Sequence, residues 1–406
     1  MYKRFDTDSF IKQNITHRRD SLFREDLSEF GSTLAERINN RSVLVIGGAG
    51  TIGSSFIKAI LKFKPSKLYV FDINENGLTE LTRDLRSSIG YNIPNDYKTY
   101  PINFSDKIFE KIFKSERGFD IVANFAAHKH VRSEKDEFSV EAMIENNVLK
   151  AKKLLDLLLE FPAEHFFCVS TDKAANPVNL MGASKKLMEE VILAYSKLIP
   201  ITTARFANVA FSNGSLLQGF IERLAKKQPL SAPSDVKRYF VSPEESGQLC
   251  LLACILGNSG EIFFPKLDAQ KDTHTFAEIA TLFLEEHGLV ASICKSEEEA
   301  RQKAIAINGN TPQYPVYFFN SDTSGEKAYE EFHTDNEQVD LDTFNALGVV
   351  KNAVKKDINE IEVIFEKLNT LFTSEELDKE AIVKLMTSII PNFNHIETGK
   401  NLDQKM

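Results

Sequence analysis

Tryptophan is absent from these 406 residues, cysteine occurs four times and methionine six times. Four cysteines are too few to staple a chain of this length, and no CxxC or His/Cys cluster accompanies them, so neither a disulfide scaffold nor a zinc site is indicated. Cys168, in a strand-like run, and Cys250 and Cys254, one helical turn apart in an apolar run, read as buried, reduced thiols. Positive charge is also in short supply. Lys and Arg number 49 against 58 Asp and Glu, and the net charge of −9 excludes a broad nucleic-acid footprint while leaving room for a local phosphate pocket. No apolar run nears the ~20 residues that span a bilayer. Residues 1–25 are charged throughout and carry no apolar signal region. The chain therefore reads as soluble and cytoplasmic. Repeats and low-complexity tracts are missing too.

What is present is globular in texture, with 42% hydrophobic and 26% charged residues. At ~150 residues per domain the length gives about two to three domains. Strand-like and helix-like segments alternate from residue 42 to 206. Strands are expected at 42–46, 67–73, 98–103, 119–125, 165–170 and 201–206, and helices at 54–63, 78–88, 139–160 and 183–198. That alternation predicts an α/β fold: a doubly wound parallel sheet of the dinucleotide-binding type. After about residue 210 the regularity weakens. The expected division is a helical appendage over 1–40, the dinucleotide-binding domain over 41–210, a smaller substrate lobe over 211–340 with segments able to return to the sheet, and a helical extension over 341–406.

The first strand runs directly into Gly47-Gly48-Ala49-Gly50-Thr51-Ile52-Gly53. Glycines here allow a tight turn and let the backbone approach a pyrophosphate at the start of the following helix. Asp72 ends the next strand, 19 residues after Gly53, where a carboxylate binds the adenosine ribose 2′-hydroxyl. That carboxylate would repel a 2′-phosphate and no Arg follows it directly, so NAD is favoured over NADP.

Strand five runs into Ser170-Thr171-Asp172-Lys173, and Met181-Gly182-Ala183-Ser184-Lys185 follows. With GGAGTIG at 47–53, NFAAHKHV at 124–131, Asn147, ARFANVAFSNGS at 204–215, KRYFVSPEE at 237–245 and SGEKAYEE at 324–331, the chain resembles the extended short-chain dehydrogenase/reductases. Within them it resembles the nucleotide-sugar 4,6-dehydratases of polysaccharide biosynthesis, in particular those acting on UDP-N-acetylglucosamine. One departure from the superfamily's Tyr-x-x-x-Lys stands out: Met181 occupies the tyrosine position before Lys185. A thioether cannot take the sugar hydroxyl proton. The resemblance points to the methionine-bearing branch and leaves both retention and inversion at C-5 open.

The resemblance implies a mechanism and a site. NAD oxidises C-4 of the sugar, the ketone acidifies C-5, and Lys173 takes the C-5 proton, for which its pKa must be depressed. Asp172, aided by Thr171, takes the 4-hydroxyl proton and, protonated, assists departure of the C-6 hydroxyl as water. Asp172 and Lys173 are neighbours, so they serve one site only if the strand has ended before them. Lys185 contacts the nicotinamide ribose. Gly47, Gly50, Thr51, Ile52, Gly53, Asp72, Asn74, Asn103, Ala126 and Asn147 surround the cofactor. Asn103 stands where many relatives carry Asp. His128, Lys129, Asn208, Ser215, Arg238 and Glu326 are implied on the UDP-sugar side, with Arg238 pairing with the diphosphate and Glu326 and Lys327 in a closing element. The His128-Lys129-His130 cluster lacks a third ligand at a fitting spacing, so no metal is expected. Relatives often pair through the helices expected at 139–160 and 183–198, which implies a homodimer or larger homo-oligomer. A nucleotide-sugar 4-epimerase and a non-catalytic NAD-binding regulator are the alternative readings.

Overall fold

The computed structural model describes residues 5–131, 134–307, 312–322, 325, 327 and 329–397. Fifteen strands are found among them. They are β1 (Ser42–Ile46), β2 (Lys67–Phe71), β3 (Asp96–Tyr100), β4 (Ile121–Asn124), β5 (His165–Val169), β6 (Ile201–Ala204), β7 (Asn208–Val209), β8 (Leu230–Pro233), β9 (Lys237–Val241), β10 (Ile262–Pro265), β11 (Thr273–Thr275), β12 (Val290–Ile293), β13 (Gln313–Phe319), β14 (Val339–Asp340) and β15 (Leu347–Val350). The main sheet has the order β14-β15-β10-β6-β5-β4-β1-β2-β3. Strands β1 to β6 and β10 run parallel, and β15 and β14 close one edge antiparallel. The core of that order, 3-2-1-4-5-6, is the doubly wound arrangement whose ligand crevice lies beyond the carboxyl ends of the strands, where the winding reverses between β1 and β4.

Period-two alternation explains why apolar runs without polar breaks build this sheet. Leu44 and Ile46 of β1, with Tyr69 and Phe71 of β2, face one core; Val43 and Val45, with Leu68 and Val70, face the other. A second lobe is built on two small sheets, β11-β9-β7 and β12-β13-β8, around a third core that includes Phe220, Phe240 and Phe283.

The run at 260–265, in the stretch with segments expected to be able to return to the sheet, pairs with β6 as β10, inside the main sheet. Two features differ from the sequence expectation. Residues 347–350, expected to be helical, pair with β10 as β15. A short apolar strand carries no mark of which sheet it will join, so neither placement could be read locally. The long helix expected at 139–160 is interrupted by a π-helical turn, Glu145–Leu149.

The N-terminal segment is stitched to both lobes. Phe10, Ile11 and Ile15 pack into the lobe core, while Phe23, Leu34 and Ile38 pack behind the main sheet. Between them Arg18 binds both oxygens of Glu245 at 2.8 and 3.0 Å and Asp272 at 2.7 Å. Helices Ile358–Phe372 and Lys379–Ile389 pack against helix Leu180–Ala194, one of the two through which pairing is implied. The second of them also touches Glu137–Ile144, and Lys152 reaches Glu362 at 3.3 Å. All four cysteines are free and buried. No helix among the described residues is long and apolar enough to cross a membrane.

Candidate functional site

The turn after β1 forms a cradle. Gly47 has φ of 74°, and a Cβ there would meet the Ala126 nitrogen at 2.6 Å, so β1 and β4 end too close together for a side chain between them. Helix Thr51–Ile60 begins at Gly50 with no side chain capping it, leaving its first N–H groups available to an anion. A Cβ on Gly53 would stand 2.3 Å from the Gly47 carbonyl oxygen. Gly53→Ala is therefore expected to lower unfolding free energy by about 1–3 kcal/mol, the usual penalty of overpacking, and a urea unfolding curve checks this.

The Asp72 carboxylate accepts from the Ala49 N–H at 3.0 Å and the Asn74 N–H at 2.9 Å, which sets it against the glycine turn at the end of β2. Asn74 caps helix Glu75–Ser87 through Gly77. Asn103 accepts from both Ser105 groups in a turn after β3. Thr51 Oγ1 accepts from the Asn213 N–H at 2.9 Å, so the start of the helix is tied to the lobe. Ile52 packs against both faces of the sheet. A glycine cradle, an uncapped helix start and a carboxylate at the end of the second strand suit a dinucleotide.

β5 ends at Val169, and Asp172–Ala174 form a 3-10 turn capped by Thr171. The strand has ended, so the two neighbours point into one site. Asp172 Oδ1 accepts from Thr171 Oγ1 at 2.7 Å, the Lys173 N–H at 2.9 Å and Lys173 Nζ at 3.0 Å. Helix Leu180–Ala194 starts beside this turn under an Asn179 cap, and Gly182 permits the approach, since a Cβ would lie 2.6 Å from the Lys173 carbonyl oxygen. Met181 and Lys185 are four residues apart on one helix face, and both are buried. Lys185 Nζ donates to the Val169 carbonyl at 2.6 Å. Burial pushes its ammonium below the usual range, against the opposing pull of Cys168 and Glu189.

Lys173 departs from expectation. Burial alone would lower its pKa, but Asp172 and then Glu330 outweigh that and raise it above the usual lysine range. The ammonium lies 3.5 Å from Glu330 Oε1. At rest it is protonated, not poised as a base.

Asn147 sits in the π-helical turn, a frequent marker of functional positions. It accepts from the His128 N–H at 2.8 Å, donates to the His128 carbonyl at 2.9 Å and donates to Ser184 Oγ at 3.0 Å. One buried amide thus fastens the loop after β4 to the helix bearing Met181 and Lys185. His128 and Lys129 themselves are exposed on that loop, while Ala126 donates to Asn124 Oδ1. On the lobe side, Asn208 donates to the Tyr239 carbonyl at 3.4 Å, and Ser215 caps helix Leu216–Ala225. Arg238, on β9, is buried, donates to the carbonyls of Lys237 and Lys327, and approaches Glu330 Oε1 at 4.0 Å. Glu326 lies outside the described residues. Lys173 and Arg238 are thus brought to the Glu330 carboxylate, with Asp172 on the other side of the Lys173 ammonium, whereas Asn103 stays at the far end of the sheet, after its edge strand β3.

The sequence reading missed three groups. Glu330 is one. Arg205 is another: it is fully buried, paired through two nitrogens with Glu189 at 2.8 and 3.0 Å and with Glu337 at 2.8 Å twice, while Ser170 Oγ donates to Glu189 at 2.6 Å. The third is Glu134, which accepts from the Leu180 N–H at 2.8 Å and meets His395 at 2.6 Å. Arg205 and Glu330 stand within the ARFANVAFSNGS and SGEKAYEE segments, yet nothing local says which charge each meets, and Glu134 lies in no such segment. Glu134, His395 and Glu397 form the group among the described residues that could hold a metal, but Lys379 already stands at 3.3 Å from Glu134 and 2.6 Å from Glu397. Around this point the tail runs beside the chemical loop. The N–H groups of Asn394 and Ile396 donate to the carbonyls of Pro177 and Val178, and the Gly325 N–H donates to Ile396.

The sheet order, the glycine turn and the lysine motif define an extended short-chain dehydrogenase/reductase. Residues 43–352 match the family described as polysaccharide biosynthesis protein, and the chain belongs to that family. Its enzymes are of the nucleotide-sugar dehydratase and epimerase type. An uncharacterized membrane protein of Methanocaldococcus jannaschii is 29% identical over 90% of this chain and 98% of its own length. A UDP-N-acetylglucosamine 4,6-dehydratase (inverting) of Campylobacter jejuni is 28% identical over 58% of this chain and 70% of its own. The chain spans about half the length of two polysaccharide biosynthesis relatives from Staphylococcus aureus and Bacillus subtilis, 56% and 49%. A UDP-N-acetylglucosamine 4-epimerase structure from Methanobrevibacter ruminantium, in complex with UDP-N-acetylmuramic acid, aligns with a TM-score of 0.53 at 15% identity, covering 82% of this chain and 98% of its own. At that identity the likeness is one of fold.

Proposed function

We propose that this chain is a 4,6-dehydratase that removes water from UDP-N-acetylglucosamine, giving UDP-2-acetamido-2,6-dideoxy-4-keto-hexose, with NAD held in the glycine cradle. The observation that carries the reading is the Asp172–Lys173 pair, 3.0 Å apart in one turn beyond β5. NAD, when bound, supplies oxidation at C-4 and reduction at C-6 with no net redox change. Gly47, Gly50 and the free helix start would hold its pyrophosphate, Asp72 its adenosine ribose, and Lys185 the nicotinamide ribose. The remaining chemistry belongs to the chain. Met181 offers no proton acceptor, so Asp172 takes the 4-hydroxyl proton, its buried Oδ2 having no partner among the described residues. Lys173, once deprotonated, takes the C-5 proton and later returns a proton there. Asp172, protonated by the 4-hydroxyl, assists departure of the C-6 hydroxyl as water. Arg238 would neutralise the diphosphate.

A 4-epimerase is the second reading, favoured only by the shared family type. It has no use for an amine base at C-5, and it ordinarily wants a phenol where Met181 stands. Incubating the purified protein with UDP-N-acetylglucosamine and NAD is expected to give a product about 18 mass units lighter, one water by the elimination chemistry. A product of unchanged mass but altered C-4 configuration would establish the epimerase instead.

A further inference from the structure

The turn that follows β7, residues 210–215, meets the cofactor domain at two points. The Ser215 N–H donates to the Ser212 carbonyl at 2.9 Å, which closes a tight turn with Asn213 and Gly214 at its centre. Gly214 has φ of 74° and Asn213 is not among the positive-φ residues, the pattern of a type II turn. At one point the Asn213 N–H donates to Thr51 Oγ1 at 2.9 Å, on the first residue of helix Thr51–Ile60. At the other the His130 ring lies against Gly214, where a Cβ would meet its Nε2 at 3.1 Å. The second lobe holds this turn firmly. Phe211 packs among Phe5, Phe10 and Phe283. The Ala210 N–H donates to the Val241 carbonyl at 3.0 Å, continuing the pairing of β7 with β9, the strand that carries Arg238.

Thr51 is placed to act on two partners at once. A hydroxyl has one proton to donate and two lone pairs with which to accept. One lone pair takes the Asn213 N–H, and the proton goes to no acceptor among the described residues. The helix start that Thr51 opens has no side-chain cap. An anion held there can accept the Thr51 proton, and a hydroxyl that donates to an anion becomes a stronger acceptor.

We propose that Thr51 couples the two ligand sites: through the Asn213 N–H it passes occupancy of the glycine cradle to the second lobe, so that NAD tightens binding of a nucleoside diphosphate beside Arg238. This rests on the reading that places NAD in the cradle and a UDP-sugar beside Arg238. Thr51 is a positioning residue, acting through the turn and not on the sugar. With the cradle empty, one neutral hydrogen bond ties the turn to the helix start. Once the Thr51 proton is given to a phosphate oxygen, that bond is polarised and strengthened. The turn, β7, β9 and Arg238 are then set before the second ligand arrives, and that ligand meets a prearranged site. A single hydrogen bond is modest in net strength, so the coupling is expected at about three- to tenfold. Linkage requires the same factor in the opposite direction.

The test is calorimetric titration of UDP with and without saturating NAD, and of NAD with and without saturating UDP. UDP carries no sugar, so contact between sugar and nicotinamide does not enter the factor. The wild type is expected to bind UDP about three- to tenfold more tightly when NAD is present, and NAD more tightly by the same factor when UDP is present. Asn213→Pro deletes the donor alone, because proline has no N–H and suits the second position of a type II turn. This variant is expected to bind each ligand by itself nearly as the wild type does and to lose the coupling. Thr51→Ser keeps a hydroxyl and is expected to keep the factor; Thr51→Val has none and is expected to lose it. A merely structural role would weaken each ligand by itself and leave the factor standing. An undiminished factor in Asn213→Pro overturns the proposal. If Asn213→Pro does not fold, the two Thr51 variants decide, and equal factors in both overturn it. Wild type that binds NAD and UDP independently removes the coupling alone. Wild type that fails to bind NAD, or fails to bind UDP, removes the corresponding ligand reading and the coupling with it.

Discussion

Lys173→Met should stop formation of the lighter product, by about 10³-fold or more, in a protein that still binds NAD. Methionine keeps the length and apolar stem of lysine but can neither take the C-5 proton nor return it. The cofactor cradle lies at the ends of β1, β2 and β4, and its backbone contacts do not involve the 173 side chain. Product mass and calorimetric NAD titration on one sample separate the two effects. Loss of NAD binding along with product would mean a collapsed site, and wild-type turnover would remove Lys173 from the base role. The substitution also leaves Asp172 and Glu330 as two buried carboxylates without their shared cation.

Arg205→Met should destabilise the protein by about 3–5 kcal/mol, because it leaves buried carboxylates uncompensated. Glu189 is fully buried and Glu337 nearly so. Burial raises the pKa of each, yet Arg205 more than offsets this and holds both below the usual carboxylate range. The sign for acid follows. Carboxyls lowered on folding stabilise the protein above their unfolded value, about 4.3 for glutamate, and that contribution fades as pH falls through the lowered folded values. Urea unfolding at neutral pH and at about pH 3 measures both effects. Wild type should lose stability toward acid, and Arg205→Met should lose less, because its carboxylates are already destabilised. Adding Glu189→Gln should restore part of the loss, since the pair is coupled. Equal stability of Arg205→Met and wild type at neutral pH would show the network to be inert.

Much of the sheet was legible. The runs that became β1, β2, β4 and β5 are unbroken and apolar, the mark of strands buried on both faces, and the glycine turn sits between the first strand and its helix. The chemical motif was legible for a similar reason: Thr171, Asp172, Lys173, Met181 and Lys185 fall within one turn and the helix that follows it. What escaped was set by chain segments far apart in sequence. β10 and β15 show the same short apolar pattern whichever sheet they join. Glu330 comes from a different lobe segment, so nothing near Lys173 announces that the lysine will be held protonated. Arg205 stands in the ARFANVAFSNGS segment after β6, but only the fold reveals that it faces Glu189 and Glu337.

The tail also ties together segments that lie far apart in sequence. Phe393 is anchored in the core, the Asn394 and Ile396 N–H groups donate to the carbonyls of Pro177 and Val178, and the Gly325 N–H donates to the Ile396 carbonyl. The stretch between the Asp172–Lys173 turn and helix Leu180–Ala194 is thereby held by the far end of the sequence, which acts as a strap across the loop that follows the chemical pair.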